Sequence, residues 1–79
     1  MKINGKEIKY KEFAYDGCHK IYLIDTPEEK AEAIEWGYEI KPIEELEFIY
    51  NNSCEFKFIY DWSTTETYAE QFEEAKFED

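Results

Sequence analysis

Aromatic residues recur at every second position in residues 55–62. Phe56, Phe58, Tyr60 and Trp62 fall on one face, and Lys57, Ile59 and Asp61 on the other. A period of two over that length predicts a β-strand. Nearer the N-terminus, Asn4-Gly5 and Asp16-Gly17 are turn dipeptides of the kind that join two-residue hairpins. Between them Ile8 and Tyr10 alternate with charged residues, and Phe13 and Tyr15 then continue in the opposite phase. A bulge or face switch near Lys11 and Glu12 is expected. Residues 18–24 form a third strand, apolar on both faces near its end and therefore central. Residues 1–24 thus read as an antiparallel meander whose first strand is very short.

The period changes at Thr26. In T-P-E-E-K-A-E-A-I-E-W-G both ends of a helix are written out. Thr26 is a good N-cap, Pro27 falls at the first helical position, and Glu29 completes a T-x-x-E capping box. Gly37 suits a left-handed C-cap. Ala31, Ile34 and Trp36 are expected to turn towards a core, while Glu28, Glu32 and Glu35 share one ridge. Like charges at that spacing cost about 0.2–0.5 kcal/mol per pair.

Residues 38–41 read as a short extended piece stopped by Pro42. Beyond it Ile43, Leu46, Ile49 and Tyr50 favour a short helix over a strand at 47–50 paired with 55–62. Ser63 and Glu66 make a second capping box, which predicts a C-terminal helix to about Phe77. Tyr68, Phe72 and Ala75 would line its inner face, with Ala69 beside them. Glu66, Glu70 and Glu73 would form an outer ridge extended by Glu74 and Glu78. The expected fold is α+β: a small antiparallel sheet, made of the N-terminal meander and strand 55–62, with two or three helices packed on one face. Its 79 residues read as a single compact domain.

Composition sharpens this picture. A chain of this length buries only about 60% of its unfolded surface. Aromatic residues at 19% supply large buried area per side chain, and 43% hydrophobic content excludes a disordered acidic tail. The net charge of −11 is unevenly spread. Residues 1–22 carry five lysines against three carboxylates, a surplus of +2, which leaves −13 on the remainder. Arginine is absent, so the chain has no guanidinium fork for phosphate. A protein this acidic is repelled by nucleic acid and by anionic membranes, and its electrostatic partner is basic. The longest apolar run, Ile21 to Ile24, is too short for a membrane span or a signal peptide. A cytoplasmic location in a bacterial cell is the expectation. The lysine-only basic set, with much Ile, Glu and Asn, points to an AT-rich genome such as that of a low-GC bacterium or its phage.

No motif for catalysis, metal or cofactor stands out. Cys18 and His19 are neighbours on a strand and diverge, so a thiol–imidazole pair is not expected. Cys18, His19 and Cys54 lack a zinc-ligand spacing, and no calcium-loop pattern is present. A disulfide between Cys18 and Cys54 is not expected in a reducing compartment. The carboxylates are too evenly distributed to single out an acid–base pair.

What remains is the acidic surface and the aromatics. Carboxylate-studded helices either keep an aromatic-rich domain in solution or imitate the phosphate array of nucleic acid. A helix ridge carries one charge per about 6 Å, so two or more ridges side by side are needed to approach the density of duplex DNA. The functional expectation is a non-enzymatic binding protein, a phage or prophage inhibitor that blocks a basic nucleic-acid-binding host protein. Its contacts would be Glu28, Glu32, Glu35, Glu66, Glu70, Glu73 and Glu74, with Trp36 and Trp62. In manner such a surface resembles acidic DNA-mimic inhibitors as a loose class, which includes anti-restriction, anti-CRISPR and glycosylase-inhibitor proteins. No motif is shared with any of them. The alternative is an interaction or structural module, homodimeric in one version, that binds through exposed Trp and Tyr; Tyr38, Trp36, Tyr50, Trp62 and Tyr68 cannot all be buried in so small a core.

Overall fold

The computed structural model describes residues 1–53, 56–64, 66–69 and 75–78. In chain order they form β1 (Lys2–Ile3), β2 (Lys6–Glu7), β3 (Glu12–Tyr15), β4 (Lys20–Ile24), α1 (Pro27–Glu35), β5 (Glu39–Pro42), a 3-10 turn (Ile43–Glu45), α2 (Leu46–Asn51), β6 (Phe58–Asp61) and β7 (Phe77–Glu78). The content is mixed α+β, in a three-stranded sheet ordered β2-β1-β7 and a four-stranded sheet ordered β5-β3-β4-β6.

The N-terminal turn behaves as its sequence demands. Asn4 (φ 53°) and Gly5 (φ 85°) take the two left-handed positions that join β1 to β2. The second turn is wider than a two-residue loop. One oxygen of Asp16 accepts from the backbone N–H groups of Cys18, His19 and Lys20 at 2.8, 2.9 and 3.0 Å. Three amides satisfied by one carboxylate let the chain open before β4 begins. The phase change near Lys11 proves larger than a bulge. Residues 8–11 leave one sheet and enter the other, so β2 and β3 belong to different sheets.

Pairing within the four-stranded sheet is antiparallel except at β4 and β6, which run parallel with Tyr22 opposite Tyr60 and Leu23 opposite Asp61. The expected all-antiparallel sheet is therefore mixed. Parallel strands need a long crossover, and here it carries α1, β5 and α2. The central position expected for residues 18–24 is that of β4, between β3 and β6.

Alternation along these strands builds two cores. Phe13, Ile21, Leu23 and Ile59 face α2, which contributes Leu46 and Tyr50; Ile3, Ile8, Ala69 and Ala75 complete this larger cluster. Ala14 and Ile24 face the other way and meet Ala33 of α1, with Tyr22, Tyr38, Ile40 and Trp62 packed around them. Each helix thus takes its own face of the sheet.

Both ends of α1 form as written. Thr26 Oγ1 accepts from the Glu29 N–H at 3.1 Å, and the Glu29 carboxylate accepts from the Asp25 and Thr26 amides. At the other end Gly37 (φ 93°) and Tyr38 donate to the carbonyls of Ile34 and Ala33, which is a Schellman closure. The inward face differs from expectation. Ala33 is buried, whereas Ala31 is exposed, Ile34 is 55% exposed and Trp36 is 73% exposed. Ala33 lets the helix sit close on Ala14, and the Lys30–Glu12 ion pair at 3.2 Å holds the same face down.

The expected C-terminal helix is overturned wherever the chain is described. Ser63 does not cap a helix: its amide and hydroxyl both donate to Asp61 Oδ1, at 2.9 and 2.7 Å. The chain then folds back along β6, with Thr67 bridged to Tyr60 and the Tyr68 amide donating to Ile59. Phe77 and Glu78 are a strand, paired with β1. The S-x-x-E signal loses because Asp61 claims the serine and the edge of β6 claims the backbone. The expected positions Glu70, Phe72, Glu73 and Glu74 lie outside the described residues, as does Cys54.

Asp61 is 8% exposed and is the one buried charged residue among those described. Tyr10 donates to its Oδ2, Tyr68 approaches the same oxygen, and Ser63 holds Oδ1. Burial pushes this carboxyl up, but the surrounding donors together outweigh it and hold it below 3.8. Asp16 behaves alike, burial being outweighed by its three backbone donors. Burial first, and Asp61 and Tyr68 after it, push the Tyr10 hydroxyl well above the ordinary tyrosine range.

Asp61→Ala strands the Tyr10, Tyr68 and Ser63 donors and should lower stability by about 3 kcal/mol in urea denaturation, with an unchanged slope. Because Asp16 and Asp61 titrate below 3.8 when folded, the unfolded chain binds more protons in acid. Their contribution is complete above the unfolded value and is lost as pH falls through the folded ones. Melting followed from pH 7 to pH 2 should show a decline confined to the acid side of about pH 5, shallower in Asp16→Asn.

Candidate functional site

The face of the sheet that carries α1 is only partly covered by it. The uncovered part is a ladder of rings. Phe58 meets Tyr60 at 5.8 Å between centroids, and Tyr60 stacks on Tyr22 at 5.2 Å with 23° between planes. Tyr22 meets the edge of Trp62 at 5.2 Å, and Tyr38 packs on both, at 5.4 Å from Tyr22 and 5.9 Å from Trp62. His19 extends the ladder beyond Phe58. The register explains it: parallel pairing sets Tyr22 beside Tyr60, and period-two alternation brings Phe58 and Trp62 to the same side. Tyr38 arrives from the other edge, at the Schellman closure of α1.

At the α1 end this wall becomes a cleft of about 320 Å³, lined by Tyr22, Glu32, Trp36, Tyr38 and Trp62. Tyr22, Tyr38 and Trp62 form a corner in which Trp62 stands edge-on to both tyrosines, at 74° and 88°, and the tyrosines are tilted at 59° to each other. Glu32 is held there, its Oε1 accepting from Trp62 Nε1 at 2.7 Å. The Tyr22 hydroxyl is pushed up to about 12, by burial first and then by Tyr38, Tyr60 and Asp16. It is neutral at physiological pH and leaves Glu32 as the charge of the cleft.

The expected contact residues divide into three groups. Glu28, Glu32 and Glu35 lie exposed on α1, and among the described residues none of them has an ion pair. Of these only Glu32 lines the cleft, where Trp36 and Trp62 join it. Glu66 stands elsewhere, exposed and 3.8 Å from the Lys6 ammonium, not on a helical ridge. Glu70, Glu73 and Glu74 fall outside the described residues. Of the aromatics named as surplus, Tyr50 is buried, its hydroxyl accepting from the Ala75 amide. Tyr22 and Tyr60 complete the wall without having been singled out; the alternation at 58, 60 and 62 was the signal, and it lacked only the register with β4.

Other arrangements offer less. Among the described residues no three His, Cys, Asp or Glu side chains converge to hold a metal ion. Cys18 is exposed, and His19 lies 3.7 Å from Asp16 with its ring against Phe58. A second cleft, about 430 Å³, is lined by Lys9, Lys11 and Lys30, but Glu12 and Asp25 share it and Glu12 pairs with Lys30. No helix among the described residues is long and apolar enough to cross a membrane. Comparison of the chain with protein-family models, curated proteins and solved structures gives no match.

The two indoles differ in setting, and this can be measured. Trp36 is 73% exposed, whereas Trp62 is half-buried with its N–H bonded. Acrylamide should quench the native emission mainly through Trp36, and Trp36→Phe should remove the larger share of that quenching without shifting the melting temperature.

Proposed function

We propose that this chain is a non-enzymatic binding protein that presents an acidic, aromatic surface to a basic, nucleic-acid-binding protein, in the manner of a phage-encoded inhibitor. The observation that supports it is the placement of α1. Its Glu28, Glu32 and Glu35 form an exposed ridge without ion pairs among the described residues, and Glu32 joins that ridge to a wall of half-buried rings, so charge and apolar area meet there. Three carboxylates over seven residues span about 10 Å, which is sparser than the phosphates of a duplex. Charge on this ridge alone therefore falls short of imitating DNA. Aromatic contact makes up the difference, since Trp and Tyr are the usual anchors of interfaces and lysine and arginine stems pack well on rings.

A second reading, self-association through exposed aromatic side chains, is favoured by the exposure of Trp36, Phe48 and Phe56. Against it stands the charge: two copies at −11 would bring two acidic ridges together.

Salt separates the readings. Binding to a basic nucleic-acid-binding protein should weaken at least tenfold between about 50 and 300 mM NaCl, and added duplex should displace the acidic chain. The triple substitution Glu28→Gln, Glu32→Gln, Glu35→Gln should weaken it by about tenfold or more in titration calorimetry. Self-association that survives high salt and is lost in Trp36→Ala would decide for the other reading.

A further inference from the structure

We infer that the cleft between Trp36 and the Tyr22–Tyr38–Trp62 corner is a receptor for a single guanidinium side chain, with Glu32 as its counterion. This rests on the reading of the face as a docking surface for a basic protein, and it names what that surface would grip.

The lining dictates the chemistry. Four of the five lining residues are aromatic and the fifth is a carboxylate. Ring faces carry the negative end of the aromatic quadrupole, so the walls and the counterion attract the same sign of charge. An anion is refused by Glu32. A purely apolar guest would strip water from that carboxylate and offer it no donor, which is costly. A planar cation satisfies both: it can lie flat on an indole and donate from its edge to the carboxylate.

Glu32 is prepared for this. Its Oε1 is fixed by the Trp62 indole N–H, while Oε2 has no donor among the described residues. The chain fills comparable positions elsewhere with its own lysines, Lys57 lying 4.6 Å from the centre of the Tyr50 ring and Lys6 5.3 Å from that of Tyr68. No lysine lines this cleft, and the chain has no arginine to offer. A cation bound in this cleft would come from another molecule. Trp36 lines the cleft at 73% exposure, with no ring partner among the described residues, so its indole face is accessible to a guest.

The test uses the intact chain and small blocked amides at matched ionic strength. Nα-acetyl-L-arginine amide should shift the indole N–H resonances of both Trp36 and Trp62 saturably. Nα-acetyl-L-citrulline amide, its neutral isostere, should do so at least about tenfold more weakly. Glu32→Gln keeps an acceptor for Trp62 and should weaken arginine binding roughly tenfold. Trp36→Ala, at an exposed position that leaves the fold alone, should weaken it roughly two- to fivefold. Equal response to arginine and citrulline, or indoles that do not move while backbone amides elsewhere do, would overturn the inference. Salt-sensitive binding of a basic protein with indoles indifferent to the arginine amide would reject the cleft and leave the docking face standing. An arginine response in a chain that binds no basic protein would uphold the cleft and reject the docking role.

Discussion

Parallel pairing of β4 with β6 is the constraint from which the molecule's two faces follow. It places Ile21 beside Ile59 and Leu23 beside Asp61 on one side, and Tyr22 beside Tyr60 on the other. Parallel pairs are found where both faces of a sheet are covered, because the crossover between the strands lays helices on those faces. On the first side α2 and the larger core provide that cover. On the second side α1 reaches only as far as Ala14 and Ile24, and the rest is shielded by rings. Aromatic side chains suit this half-covered position. They bury much area against one another while their outer faces and polar tips meet water.

The same register sets Asp61 inside. A buried carboxylate on the core face of β6 would be ruinous alone, yet Tyr10, Tyr68 and Ser63 all donate to it. Those three residues come from the segment between the two sheets and from the chain after β6. The charge therefore works as a clasp: Tyr10 is tied to the return of the chain along β6, and Ser63 is held in the turn that starts that return. The side-chain donors compensate the burial that would otherwise neutralise the group.

Legibility in the sequence tracked how local the determining interaction is. The α1 caps involve residues three to five apart, and all of them form as written. The Asn4-Gly5 hairpin and the α2 stripe are similarly local. The rotation of α1 onto Ala33 was not legible, because it depends on the size of Ala14, nineteen residues earlier, and on the Glu12–Lys30 pair. The C-terminal helix misled for the same reason. Ala69 and Ala75 are buried, but a strand edge at β6 and another at β1 outbid helix propensity for the described backbone. Half of the candidate site was visible as Glu28, Glu32, Glu35, Trp36 and Trp62. The other half needed the β4–β6 register, which no short-range pattern encodes.

The coexistence of rings and carboxylates on one face bears on why this chain is so acidic. If solubility were the whole purpose, charge would be most useful scattered over the surface and away from the aromatic wall, where each carboxylate could keep its full hydration. Instead Glu32 is bonded into the wall through Trp62, and the like-charged Glu28 and Glu35 are retained on either side of it with Lys30 drawn off to Glu12. That arrangement costs ridge repulsion in the isolated protein. A basic partner would turn the same repulsion into attraction, and would cover the rings at the same time. The energetic defect of the free molecule and the proposed function are then one feature seen in two states.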